Sequence, residues 1–274
     1  MGDGGGSVAI HPAAFVHPAA CLEAPAEVGP FARIEAGARV GAGARIGVRA
    51  YVGPGTSMGE GCFIDVGAVL GSPAAQEQSV ILGRGVRVRE YAVVEAGPPG
   101  RPTRVDDEAF VMAKTWMGPG SHLGARAILT HGSVMQPGAE LHEDAIVGGY
   151  CLVEAGVVIG RRAMVGALSR VDIPVPPFTL AHGNPAALYG LNVVGLRRAG
   201  VPAETRQKLQ RAFRVLFRSA LPLEHAEAEL GADALAVPEV QELLRFVQQF
   251  PHVTARAPGR ERTGELDGSS NPEL

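Results

Sequence analysis

Cysteine is scarce in this chain. Cys21, Cys62 and Cys151 are the three present, and no two of them form a CxxC pair. That excludes a disulfide framework and predicts reduced packing residues in a cytoplasmic protein. Long apolar runs are also missing: no stretch reaches the length of about 18 residues that a membrane span needs. Runs of one charge sign are absent and the net charge is −3, so nucleic acid is not an expected partner. Residues 1–7 are Gly-rich and lack the apolar core of a secretion signal, so a flexible start without a leader is expected.

What is present is a count of six. From Ile10 every sixth residue to Leu70 is a large aliphatic, eleven in succession. The count resumes at Leu82, Val88 and Val94, then slips by five and runs unbroken from Val105 to Val171. A second ladder of small residues lies two positions earlier (Ala14, Ala20, Ala26, and later Ala109, Thr115, Ser121). A period of six is neither the 3.6 of a helix nor the 2 of a strand; it is a short strand plus a turn, the signature of a parallel β-helix. The large residue points inward on each flat face, and the small one fits the crowded corner. Three hexads make one triangular coil, so residues 18 apart stack. The rungs predict about nine coils in a prism roughly 40–45 Å long. Gly after many rungs, such as Gly29, Gly41 and Gly47, is expected to serve positive φ or close backbone approach.

Two segments leave the ladder. SPAAQEQSV, residues 72–80, puts Gln76 on a rung and is expected to extrude as a loop. GPPGRPT, residues 97–103, adds five residues and must bulge out. In solenoids such insertions often carry binding. The ladder stops near Val171, before Pro174, Pro176 and Pro177. Beyond it the period becomes helical. A first helix is predicted over residues 202–219, a second from Pro222 to about Leu235, and a third from Pro238 to about Phe250, each with proline at its first position. The expected division is a flexible start at 1–7, a β-helix over 8–186, a C-terminal helical domain over 187–252 and a disordered tail over 253–274.

Particular segments sharpen this. IHPAAFVHPAA at 10–20, VREYA at 88–92, the exit AMVGALSRVDIPVPPFTLAHGNPAALYGLNVVGLRRAG at 163–200 and LFRSALPLEHAEAEL at 216–230 together resemble the UDP-N-acetylglucosamine O-acyltransferases that open lipid A synthesis. The resemblance covers roughly residues 8–250. It implies a left-handed β-helix, where the usual crossover rule favours the right hand. It also implies a homotrimer with sites in the clefts between prisms. The implied reaction uses no cofactor: an acyl chain passes from acyl carrier protein to a hydroxyl of a UDP-sugar. A histidine acts as general base and a backbone N–H helps hold the oxyanion.

The chain departs from that pattern at the chemistry. The segment that carries the family's base reads MAKTWMGPGSHLG here, residues 112–124. Trp116 falls on its first histidine, Pro119 on the catalytic histidine and Gly120 on the neighbouring aspartate. The family's AGH is Gln136-Pro137-Gly138, and its HQ pair is Glu154-Ala155. Loss of a general base costs about 10²–10⁴-fold. On the nucleotide side the resemblance assigns UDP contacts to Asn192 and Arg198, while Val194 and Ala199 stand at two further contact positions. Ala167 lies near where the family measures the acyl chain. The sugar-side loop shrinks to SPAAQEQ, with Glu77 and Gln78 as its nearest substitutes.

Candidate replacement bases are His131, in the same hexad phase as Pro119, and Glu154, which stacks with Gln136 and Asp172 at intervals of 18. Lys114 beside Trp116 is a candidate for holding a phosphate or carboxylate. His122, His131 and His142 do not repeat the HxxxxH spacing of zinc-binding prisms, so no metal is expected. Two functions follow: an acyltransferase with a rebuilt site, or a non-catalytic homologue that binds a nucleotide sugar, acyl carrier protein or partner protein.

Overall fold

The structure, a computed structural model, describes residues 7–74, 79–219 and 221–256. The rung at Gln76, the substitutes Glu77 and Gln78, residues 1–6 of the expected flexible start and residues 257–274 of the expected tail lie outside the described residues.

The hexads fold as their period requires. Strands of two or three residues form three parallel sheets, each strand pairing with the one a coil further on: Val134 with Leu152, Met135 with Val153, Leu152 with Arg170. The result is a left-handed parallel β-helix. Its first face begins with Val8–Ile10, its second with Phe15–Val16 and its third with Cys21–Leu22. The rungs Ile34, Leu70, Leu129 and Val153 are completely buried, as are the small residues Ala38, Ala127 and Ser133. Burying each large rung contributes about 1.5–3 kcal/mol, and the stacked aliphatics form one continuous core along the axis.

Each corner uses two different residues for two different reasons. The position after a rung lies against the next coil: a Cβ on Gly41 would sit 2.6 Å from the Gly59 carbonyl carbon. Positive φ falls instead two positions later, at Gly37 and Gly43, but also at Phe31, Arg49, Tyr91, Lys114, Tyr150 and Leu168. The glycines that follow the rungs therefore answer to close approach, not to backbone hand.

Both interruptions leave from the second corner, between the second and third faces. The ladder resumes after them at Val80–Leu82 and Thr103–Val105.

The prism does not simply stop at the prolines. Thr179–Gly183 adds one more parallel strand beside Met164 and Val165, then Ala186–Leu191 returns antiparallel to it with a bulge. This hairpin caps the first face, making it eleven strands against nine and eight, and its second strand crosses the expected boundary at 186. A short helix follows, α1 (Val193–Arg198), then α2 (Ala203–Phe217), α3 (Leu223–Leu235) and α4 (Pro238–Gln249). Pro202 and Pro222 occupy the cap positions just outside α2 and α3, one step earlier than expected, while Pro238 is inside α4. Arg161 ties the last coil to α4: its guanidinium donates to both carboxylate oxygens of Glu242 at 2.6–3.1 Å and lies 4.9 Å from the Phe178 ring.

Candidate functional site

The second corner holds the positions at which the resemblance expects a catalytic histidine and its neighbours. In two successive coils it carries Pro119-Gly120 and Pro137-Gly138. The Gly120 N–H donates to the Thr103 hydroxyl at 2.9 Å, and the Gly138 N–H to the Pro119 carbonyl. The inserted loop folds back over this bare backbone and lays the Arg101 side chain on it. A Cβ on Gly120 would lie 3.4 Å from Arg101 Cδ, and one on Gly138 would lie 3.2 Å from its Nη2. Any side chain at either glycine would press on the arginine. Arg101 Nη2 also approaches Glu140 Oε1 at 3.9 Å.

Two cavities flank the loop. One of about 410 Å³ lies beneath Pro98 and Arg101, against Pro119 and Pro137. A larger one of about 1280 Å³ runs toward the N-terminal coils, lined by Arg39, Thr56, Ser57, Glu95 and Pro102. Among the described residues the buried Thr56 hydroxyl has no hydrogen-bond partner.

The sequence-derived candidates divide by face. Trp116, Gln136 and Glu154 stand on the second face beside the corner. The Trp116 indole N–H donates to Glu95 at 3.3 Å, and its ring lies over Gly118. Glu154 accepts from Arg170 Nε at 2.9 Å, and Arg170 also reaches Asp172 at 3.8 Å. His131, Lys114 and Ala167 stand on the first corner, across the prism. The His131 ring meets Tyr150 edge-on at 5.9 Å, and Lys114 and Ala167 are exposed. The two candidate bases are thus not brought together within one chain. Asn192 caps α1: its side-chain oxygen accepts from the Gly195 N–H and its amide donates to the Arg162 carbonyl, both at 3.0 Å. Both ends of that amide already serve the hairpin–helix junction. Arg198 is exposed at the end of α1.

Sequence reasoning missed two features. One is Arg101 over the corner. The other is a pair on the third face, where His122 Nε2 and Asp106 Oδ2 stand 2.7 Å apart. Asp106 and His122 are sixteen residues apart, one coil less one strand's alternation. Arg170 and Glu154 have the same offset, so the spacing was a usable signal. Among the described residues no group of three or more His, Cys, Asp or Glu is placed to hold a metal ion, and no helix is long and apolar enough to cross a membrane.

A sequence profile of the family described as Udp N-acetylglucosamine O-acyltransferase, Domain 2, matches residues 174–256. Over 181 residues the chain is 34% identical to an acyl-[acyl-carrier-protein]–UDP-N-acetylglucosamine O-acyltransferase of Synechocystis, covering 66% of this chain and 65% of the relative. Over 177 residues it is 32% identical to the protein of the same name from Burkholderia mallei, covering 62% of this chain and 67% of that one. The chain thus spans about two thirds of the length of these relatives. The solved UDP-N-acetylglucosamine acyltransferase from Campylobacter jejuni superposes with a TM-score of 0.81 at 26% identity, covering 92% of this chain and 100% of that one. The Arabidopsis enzyme shares the fold, with a TM-score of 0.73 at 23% identity over 91% of this chain and 99% of that one. Prism, exit hairpin, helical end and sequence identity agree: the chain belongs to the UDP-N-acetylglucosamine O-acyltransferase family.

Proposed function

We propose that this chain transfers an acyl group from acyl carrier protein to a hydroxyl of a UDP-N-acetylglucosamine-type acceptor, without a base at the second corner. The observation that carries this reading is identity to relatives of that named activity at 32–34%. The reading brings a cytoplasmic location with it.

The same reading includes a homotrimer, supported by an exposed ridge. Phe31, Tyr91, Tyr150 and Leu168 all lie on the first corner, are 59–72% exposed and have φ between 56° and 61°. Bulky side chains rarely adopt that conformation. Four large side chains stand in one line there, with Arg49, Gly67, Lys114 and Gly132 at the corners between them, and such exposed apolar groups are of the kind that a neighbouring subunit covers. Over the later coils the outward positions of the two adjoining faces are also apolar (Phe110, Ile128 and Ile146 on one, Val93, Trp116 and Leu152 on the other), although Arg87 and Arg170 flank these stretches, whereas the third face carries Arg104, His122 and Glu140. Apolar stretches of two faces meeting at the first corner suit a three-fold packing that leaves the third face accessible.

The test is a turnover assay with 3-hydroxyacyl thioesters of acyl carrier protein and UDP-N-acetylglucosamine, reading the acylated sugar nucleotide by mass. Product formation that depends on both substrates supports the reading. Binding of the sugar nucleotide with no turnover from any thioester would replace it with a binding protein.

A further inference from the structure

We propose that the general base of this chain is His122, set by Asp106, with Arg101 as a fixed cation one side chain away across Glu140; this rests on the acyl-transfer reading above. A carboxylate only accepts hydrogen bonds, so the 2.7 Å contact to Asp106 Oδ2 puts the imidazole proton on His122 Nε2. Nδ1 is then left with its lone pair, and it has no partner among the described residues. Asp106 is itself held from the other side, with Arg104 Nη2 at 3.7 Å from its second oxygen. His122 and Asp106 are each about one-third exposed, open enough for a substrate to reach yet fixed enough to keep their geometry.

The location follows from the corner. Pro119 holds no titratable group, and three residues further the chain emerges onto the third face at His122. Glu140 lies directly opposite His122 on the next coil, one strand spacing of about 4.8 Å away. The same carboxylate meets Arg101 Nη2 at 3.9 Å and His142 Nε2 at 3.7 Å. One side chain therefore separates the imidazole from the guanidinium that lies on Gly120 and Gly138. The cation lines the cavity at the inserted loop, and the base stands outside that lining on the adjoining third face, one side chain from the cation.

In the proposed step the acceptor hydroxyl gives its proton to His122 Nδ1 as its oxygen bonds to the thioester carbonyl carbon. The carbonyl oxygen takes up the negative charge facing Arg101. The carbon–sulfur bond then breaks, and the departing sulfur takes the proton back from Nδ1 to leave as a thiol. One acyl group and one proton have changed places, and the histidine ends as it began. Asp106 is a positioning residue and touches no reacting atom.

The experiment measures kcat and KM for the full chain with a 3-hydroxyacyl thioester of acyl carrier protein and UDP-N-acetylglucosamine. His122→Gln keeps a partner for Asp106 and is expected to lower kcat by about 100-fold or more, with KM within about twofold. His122→Ala is expected to regain part of its rate with added imidazole, which a structural role would not allow. Asp106→Asn is expected to lose about tenfold in kcat, with Asp106→Glu regaining most of it. A wild-type chain without turnover overturns the acyl-transfer reading. Wild-type turnover with His122→Gln still at full rate overturns this proposal alone, as does loss of that rate in His131→Gln while His122→Gln stays active.

Discussion

Proline and glycine at the second corner, where the resemblance expects a base, also decide what can lie on that corner. Because Gly120 and Gly138 have no side chains, Arg101 can lie on their backbone, so the substitutions and the inserted loop form one arrangement. The small inward ladder shows the same coupling between size and place. Cys62 and Cys151 occupy it and are buried, while Cys21 is exposed. Burial pushes the Cys62 thiol up to about 11, since a thiolate would lose its hydration there. The neutral thiol therefore favours the folded state. That contribution is complete below the ordinary thiol pKa of about 8.5 and is lost as pH rises through about 11. A thiol reagent at pH 8 is expected to label Cys21 in the folded chain and all three thiols in urea. The urea midpoint is expected to fall between pH 9 and 11, and to fall less in Cys62→Ala, where the ladder's usual alanine stands. Labelling of Cys62 in the folded chain at pH 8 would contradict this.

At the scale of elements, the join between prism and helices rests on few polar contacts. Arg161 and Glu242 are each about a quarter to a third exposed and meet through two oxygens. Glu242→Gln is expected to cost about 1–3 kcal/mol in this junction. The loss should appear as earlier unfolding of the helical circular-dichroism signal in urea; an unchanged helical midpoint would remove the pair from this role. The elements also differ in how readable they were. The coils were legible because an inward rung every sixth residue requires a short strand and a turn, while the hand of the winding came from the family resemblance alone. The exit hairpin was not, since after three prolines Thr179–Gly183 pairs by backbone with no rung to announce it. Helix α1 is only six residues long, too short for an apolar stripe. Loop 95–102 has no period, so the return of Arg101 onto the corner had no trace in the count. The ion pairs did leave one: partners such as Asp106–His122, Glu154–Arg170 and Asp144–Arg162 lie sixteen or eighteen residues apart.

Across the whole molecule, the arrangement of faces divides labour. On the proposed trimer reading the apolar stretches of the first two faces and the ridge at the first corner meet neighbours, and the third face, which carries His122, stays open to substrate. Light scattering is expected to give about 85 kDa, three copies of a 28.4 kDa chain. Leu168→Asp, which puts a charge on the ridge, is expected to lower that mass toward one chain. A wild-type mass of one chain would contradict the trimer.

The central claim is that a prism with Pro119 at the expected base position still moves acyl groups. The most direct measurement is the rate at which the wild-type chain forms acylated UDP-N-acetylglucosamine from a 3-hydroxyacyl thioester of acyl carrier protein. The account predicts product that requires both substrates and that falls about 100-fold with His122→Gln. Saturable binding of the sugar nucleotide with no acylated product from any thioester would contradict it.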